Sequence, residues 1–136
     1  MPVVLDASIV LDWALGEGNP AAVAAVAAAR ERMRADSAVA PSLLWFEIWN
    51  GLIIAERQGR STPDYAASFL RELARFPLRA DAATDPSVVM ALARRHRLTI
   101  YDSAYLELAL RNRLPLATLD GDLIKAAPAE GAILLT

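Results

Sequence analysis

The chain has no cysteine and a single histidine, His96. Without thiols there is no disulfide scaffold, thiolate zinc site, iron–sulfur cluster or cysteine nucleophile, and the composition agrees with a reducing compartment. One imidazole excludes catalysis by paired histidines and any zinc site built on several of them. A serine hydrolase would depend on His96 itself, which stands in Arg94-Arg95-His96-Arg97, a setting that reads as a solvated helix end. Lysine is scarce as well: Lys125 is the only one among 14 basic residues. Charge interrupts every apolar stretch within a helix length, and Pro2-Val3-Val4-Leu5 reads as a strand rather than a leader, so a cytoplasmic protein without a membrane span is expected.

What remains is 136 residues, 55% hydrophobic and 22% charged, enough to bury the core of one domain spanning residues 1–136. Alanine inflates the apolar fraction, which points to a helix-rich globule. A net charge of −2 does not announce a nucleic-acid binder. Acidic side chains gathered on a divalent ion would reverse that local sign, so the placement of the basic residues around them matters more than the total.

Short branched apolar runs predict five strands, at Val3-Val4-Leu5, Ala38-Val39-Ala40, Leu78-Arg79-Ala80, Leu116-Ala117-Thr118 and Ile133-Leu134-Leu135. Between them lie helical segments, three opened by a capping side chain followed by proline: Asn19-Pro20 before 21–34, Thr62-Pro63 before 64–76, and Asp85-Pro86 before 87–96. Residues 42–57 are helical in length and apolar nearly all round, and 102–112 carry apolar residues at helical spacing. This alternation predicts an α/β fold, a central parallel five-stranded sheet with helices on both faces. No internal repeat or linker interrupts it. Ligands of such a sheet gather beyond the carboxyl ends of the strands where strand order reverses, so Asp6 and Asp120, each just past a strand, meet there if strands one and four are neighbours.

Four acids stand in apolar contexts. Asp6 follows the first strand, Glu47 interrupts Leu44-Trp45-Phe46-Glu47-Ile48-Trp49 with Asn50 close by on the same helical side, Asp102 opens a helix after Thr99-Ile100-Tyr101, and Asp120 follows the fourth strand. Each aspartate stands where it could cap a helix, and Glu47 could pair with an arginine from a neighbouring helix. If the four converge, their mutual repulsion demands a cation, and hard oxygen ligands select magnesium or manganese. Such an ion suits phosphodiester hydrolysis, which needs no histidine.

The motifs Leu5-Asp6-Ala7-Ser8, Glu47-Ile48-Trp49-Asn50-Gly51-Leu52, Tyr101-Asp102-Ser103-Ala104-Tyr105-Leu106 and Thr118-Leu119-Asp120-Gly121-Asp122-Leu123 together resemble the PIN-domain ribonucleases, with the VapC toxin branch the nearest likeness. The likeness covers essentially the whole chain. It implies a metal-dependent endoribonuclease whose catalytic and metal-binding acids are Asp6, Glu47, Asp102 and Asp120, with Mg2+ or Mn2+ as cofactor. It implies auxiliary roles for Ser8 and Thr118, which support the pocket, for Asn50, which orients Glu47 or its neighbours, and for Asp122, which completes the metal site or caps the following helix. It further implies an RNA substrate, a VapB-type antitoxin as partner, and a homodimer that enters a heterocomplex with the antitoxin. The helices 42–57 and 64–76 are the expected antitoxin surfaces. A PIN nuclease of RNA processing that is not a toxin is the near alternative.

Rivals from other classes fit less well. A phospho-receiver domain needs an aspartate after its third strand and a lysine after its fifth; Asp81 meets the first need, but Lys125 precedes the last strand. An aspartyl phosphatase needs a second aspartate where Ser8 stands. Gly16-Glu17-Gly18-Asn19-Pro20-Ala21 mimics a dinucleotide fingerprint without the required strand-to-helix turn. A non-catalytic binding module would use the acids only as helix caps. Arginine clusters at Arg30, Arg32 and Arg34, at Arg94, Arg95 and Arg97, and at Arg111 and Arg113 can grip phosphates or simply solvate helices. Trp45 and Trp49 are read as packing or interface residues rather than base-stacking ones.

Overall fold

The structure is a computed structural model that describes residues 1–135. Four parallel strands, β1 (Val3–Leu5), β2 (Ala38–Pro41), β3 (Leu78–Asp81) and β4 (Leu116–Ala117), form one sheet in the order β3-β2-β1-β4. The fifth expected strand, 133–135, is not formed. Only Leu134 bridges to Leu116, although the Leu116 N–H reaches the Ile133 carbonyl at 2.8 Å and the Leu135 N–H reaches Leu116 at 2.9 Å. Its partner β4 is two residues long, so the pairing has nothing to extend along. The sheet is therefore four-stranded and parallel, with helices packed against it.

Among the described residues there are seven helices, six between the strands and one after the last: α1 (Ala7–Leu15), α2 (Pro20–Ala35), α3 (Leu43–Arg57), α4 (Pro63–Leu73), α5 (Pro86–His96), α6 (Ile100–Asn112) and α7 (Gly121–Ala129). The capping signals work as their chemistry requires. The Asn19, Thr62 and Asp85 side chains accept from the Ala22, Tyr65 and Ser87 N–H groups at 3.1, 3.2 and 3.0 Å, and the following proline occupies a position with no N–H to satisfy. One start differs from expectation: α6 begins at Ile100 with Thr99 as its cap, so Asp102 lies inside the first turn instead of opening the helix.

β1 is wholly buried and β2 nearly so, whereas the edge strand β3 is half exposed. Trp13 of α1 meets Phe69 and Phe76 edge-on at 5.3 and 4.8 Å, and the Arg30 guanidinium lies 4.6 Å over the Trp13 ring, which joins α1, α2 and α4 into one layer. The return from β3 to β4 reverses direction, and the right-handed crossover rule puts α5 and α6 on the opposite face. Residues 103–109 of α6 are buried without a gap, so this helix is enclosed on every side, its polar Ser103 and Glu107 included. Within it Glu107, 1% exposed, accepts from Arg111 Nε at 2.7 Å and from the Asp85 N–H at 3.3 Å, while Arg111 also binds Asp81 at 2.9 Å. This cluster ties α6 to the end of β3 and the start of α5. Among the described residues no helix is long and apolar enough to cross a membrane.

Candidate active site

Strand order reverses at β1: the chain moves outward through β2 and β3, then returns to β4 on the other side of β1. β1 and β4 are neighbours, so Asp6 and Asp120 both leave the sheet at this switch point. α3 brings Glu47 and α6 brings Asp102 to the same place. Asp6, Glu47, Asp102 and Asp120 line one open pocket with Ser8, Asn50 and the apolar Leu11 and Ile54, and no basic side chain is in that lining.

Asp6 is 3% exposed and occupies the cap position of α1, yet its carboxylate makes no capping bond. Both hydroxyls beside it donate to the same oxygen instead, Ser8 Oγ at 2.5 Å and Thr118 Oγ1 at 2.7 Å to Oδ2. Those hydroxyls are in turn held by backbone donors, Leu119 N–H to Ser8 Oγ at 2.9 Å and Asp120 N–H to Thr118 Oγ1 at 3.0 Å. Ser8 and Thr118 thus lock the turn after β4 onto the carboxylate at the end of β1. Burial nevertheless holds the Asp6 carboxyl above its ordinary range, with the Asp120 charge adding to the rise and the two hydroxyls opposing it.

Glu47 is half-buried and its Oε1 accepts from the Tyr105 hydroxyl at 2.6 Å. Desolvation raises its carboxyl, Tyr105 pulls it down, and the charges of Asp6 and Asp102 push it up again. Asp102 is raised to about 6, by desolvation first and then by Asp120, Asp6 and Asp122. Asp120 serves two ends, capping α7 through the Leu123 N–H at 3.0 Å while lining the pocket. The cap reading therefore holds for Asp120 alone.

Two auxiliary residues stand outside the pocket's hydrogen bonds among the described residues. Asn50 lines the pocket but makes no hydrogen bond to Glu47 among the described residues; the orienting contact comes from Tyr105. Tyr105 is fully buried and one turn beyond Asp102 on α6, a spacing that signals a shared helical face. Asp122 neither caps a helix nor lines this pocket; it lies exposed in the first turn of α7 and reaches the site only through its charge on Asp102. Gly51 is the other residue whose role the motif concealed: a Cβ there would run into the Leu11 side chain, so its absence lets α3, which carries Glu47, close on α1, which carries Ser8. The rival aspartate, Asp81, is taken up by Arg111 on the edge strand.

None of the four pocket acids pairs with a basic side chain among the described residues, and each of Asp6, Glu47 and Asp102 is raised in part by charges of the others. Such repulsion is relieved by a cation or a proton. Among the described residues no three acids or histidines are drawn together tightly enough to enclose an ion by themselves. Magnesium does not require that, since it keeps several waters and takes one or two carboxylates together with phosphate oxygens. An all-oxygen donor set of this kind fits magnesium or manganese and offers nothing to a soft metal.

A protein-family model described as "PIN domain" matches residues 3–128. The chain is 32% identical over 133 residues to Ribonuclease VapC3 of Pyrobaculum aerophilum, covering 95% of this chain and 97% of that protein. It is also similar to the crystal structure of PAE2754 from Pyrobaculum aerophilum, with a TM-score of 0.66 and 26% identity, covering 99% of this chain and 91% of the other.

Proposed function

Because the chain belongs to the PIN-domain family, in its VapC branch, we propose that it is a metal-dependent endoribonuclease and the toxin of a VapB–VapC pair. The observation that carries this reading is the pocket at the strand switch point, where carboxylates from four separate elements meet with no basic side chain in the lining. Residues 1–136 act in this reading as one catalytic domain.

Asp6 and Asp102, with Glu47 and Asp120 beside them, would hold Mg2+ or Mn2+. When bound, the ion supplies a water of lowered pKa and stabilises charge on the phosphoryl oxygen. The protein's own part is positioning. Asp6 cannot swing away, because Ser8 and Thr118 fix one of its oxygens and are themselves fixed by backbone N–H groups. Glu47 is aimed by Tyr105, whose phenol burial pushes far above its ordinary range, so the hydroxyl keeps its proton and donates at any working pH. A carboxylate of raised pKa without a basic partner is suited to take a proton from an attacking water, and in this reading Glu47, half-buried and joined only to the Tyr105 hydroxyl, takes that role. The products expected are a 3′-hydroxyl and a 5′-phosphate.

Toxin partnership is supported by apolar surface. Phe46 is 69% and Trp49 45% exposed on α3, their rings edge-to-face at 5.3 Å, with Ile53 on the same side and Tyr65 exposed on α4. A VapB-type antitoxin or the second copy of a homodimer would cover such a face. Co-expression with the neighbouring small gene product followed by size-exclusion chromatography tests this, a toxin that elutes alone and active counting against it.

The deciding experiment is cleavage of a structured RNA mixture with Mg2+ or Mn2+, with EDTA, and by Asp6→Asn. Loss of cleavage under both EDTA and the substitution, with the variant still folded, is expected. Cleavage that survives both belongs to another enzyme.

A further inference from the structure

A second cleft opens beside α7, the helix whose cap residue, Asp120, lines the acidic pocket. Arg95, His96 and Arg97 at the end of α5 face Asp122 and Lys125 on α7 across an open space of about 590 Å³, against about 360 Å³ for the acidic pocket. Volumes in this range seat small ligands or segments of larger ones. The two spaces share the helix that starts at the site: Asp120 caps α7, and Lys125 lies five residues on, roughly 7.5 Å along the axis at 1.5 Å per residue. Asp122, on the wall of the second cleft, acts electrostatically on Asp102 in the first.

Besides the exposed carboxylate of Asp122 on its wall, the charges at this cleft are of two kinds. Glu130 accepts both Arg95 at 2.8 Å and His96 Nε2 at 2.6 Å, so those groups are committed to holding the end of α7 against the end of α5. Arg97 and Lys125, both exposed, have no hydrogen bond or ion pair from their side chains among the described residues. Arg97 caps α5 in the left-handed conformation, its N–H on the Ala93 carbonyl, and the chain then buries Leu98. The backbone at this turn therefore leaves the arginine outside.

The proposed reaction sets a problem that these two cations solve. A polyanion must enter a site of four carboxylates on a chain of net charge −2, and only the phosphate being cut meets the catalytic ion. Flanking phosphates need cations of their own, and a groove of basic residues that tracks the backbone is how single strands are held. We infer that Arg97 and Lys125 form a phosphate-binding subsite for the RNA strand flanking the scissile bond, which sets the direction in which the strand leaves the acidic pocket. The inference rests on the ribonuclease reading above.

The test compares wild type with Arg97→Gln, Lys125→Gln, their double variant, and Arg75→Gln. Arg75 belongs to another arginine cluster, with Arg30 and Arg34, beside Pro77 at the amino end of β3, the opposite end of the sheet from the acids. Its removal changes net charge by the same single unit as each single variant and serves as the control for them. The probe is a short mixed-sequence single-stranded RNA with a fluorescent end label, followed by anisotropy in Mg2+ on the Asp6→Asn background between about 50 and 200 mM salt. The double variant is expected to bind roughly tenfold more weakly, with a log–log salt slope shallower by about 1.4, two contacts at ~0.7 each. With Asp6 intact, KM for cleavage rises and kcat is kept, while Arg75→Gln matches wild type throughout. An unchanged slope and KM in the double variant, or an equal loss in Arg75→Gln, overturns the subsite and leaves the nuclease reading standing. Wild-type protein that neither binds nor cleaves RNA overturns both.

Discussion

Tyr105→Phe removes one hydroxyl and nothing else. The ring is fully buried, so phenylalanine refills the same space, and the only side-chain partner lost is Glu47 Oε1 at 2.6 Å. A hydrogen bond to a charged acceptor contributes about 1.5–3 kcal/mol. Glu47 is half-buried and lets water replace the phenol, which lowers the expected loss of stability to about 1–2 kcal/mol, roughly 1 M in urea midpoint at an ordinary m-value. The functional effect is separate. Without its donor the carboxylate samples poses other than the one facing the pocket, and a kcat/KM lower by about tenfold, equivalent to about 1.4 kcal/mol, is expected. Urea titration of wild type, Tyr105→Phe, Glu47→Ala and the double variant closes a cycle in which the pair should couple by about 1 kcal/mol. Additive stabilities together with cleavage unchanged within about twofold would refute the role assigned to this contact.

Three substitutions of acids, one in the pocket and two outside it, test the electrostatics. Asp102→Asn should abolish cleavage yet stabilise the protein in EDTA at pH 7. Its folded pKa of about 6 lies above the ordinary 3.8, so ionisation costs folding energy; the penalty is absent below about pH 4, builds as pH rises, and is complete above about 6. Screened by its partial exposure it amounts to about 1 kcal/mol, and denaturant midpoints that gain nothing at pH 7 relative to pH 4 would contradict it. Glu107→Ala, by contrast, removes a carboxylate that is 1% exposed and joins Arg111 to the Asp85 N–H, at a cost of about 2–4 kcal/mol measured by denaturation. Its cleavage below the unfolding temperature should match wild type, because its hydrogen bonds among the described residues go to Arg111 and Asp85 and none to the pocket. Asp81 and Glu130 are held below the ordinary carboxylate range by Arg111 and by Arg95 with His96, so the stability they add is present above about pH 4 and is lost on further acidification. Circular dichroism of Asp81→Asn should therefore show a smaller loss of stability between neutral and acid pH than wild type.

The local code was readable because it is local chemistry. Asn19-Pro20, Thr62-Pro63 and Asp85-Pro86 each place a helix start by satisfying or removing an N–H, and the apolar runs at Val3, Ala38 and Leu116 form buried strands while the run at Leu78 forms the half-exposed edge. Where an outcome depended on a partner, the reading along the chain failed. Residues 133–135 have the composition of a strand, yet β4 offers too short an edge to pair with. Asp102 reads as a helix opener until Thr99 takes that role. Tyr105, which donates to Glu47 from the other side of the sheet, carries no signal in the sequence around Glu47, where Asn50 is the neighbour in helical spacing.

The sequence by itself removed thiol and paired-imidazole chemistry, with no cysteine and one histidine, and the motifs around Asp6, Glu47, Asp102 and Asp120, through their resemblance to a known family, pointed to those four acids as the candidates. Only the tertiary structure decided that these acids meet. Strand order β3-β2-β1-β4 turns positions more than a hundred residues apart, Asp6 and Thr118, into a hydrogen-bonded pair at 2.7 Å. It also set Arg97 opposite Lys125 and brought Tyr105 to Glu47. Capping and periodicity act within one turn of helix or one strand, so a single sequence carries them openly. Convergence depends on how crossovers close, and that is a property of the packed chain as a whole.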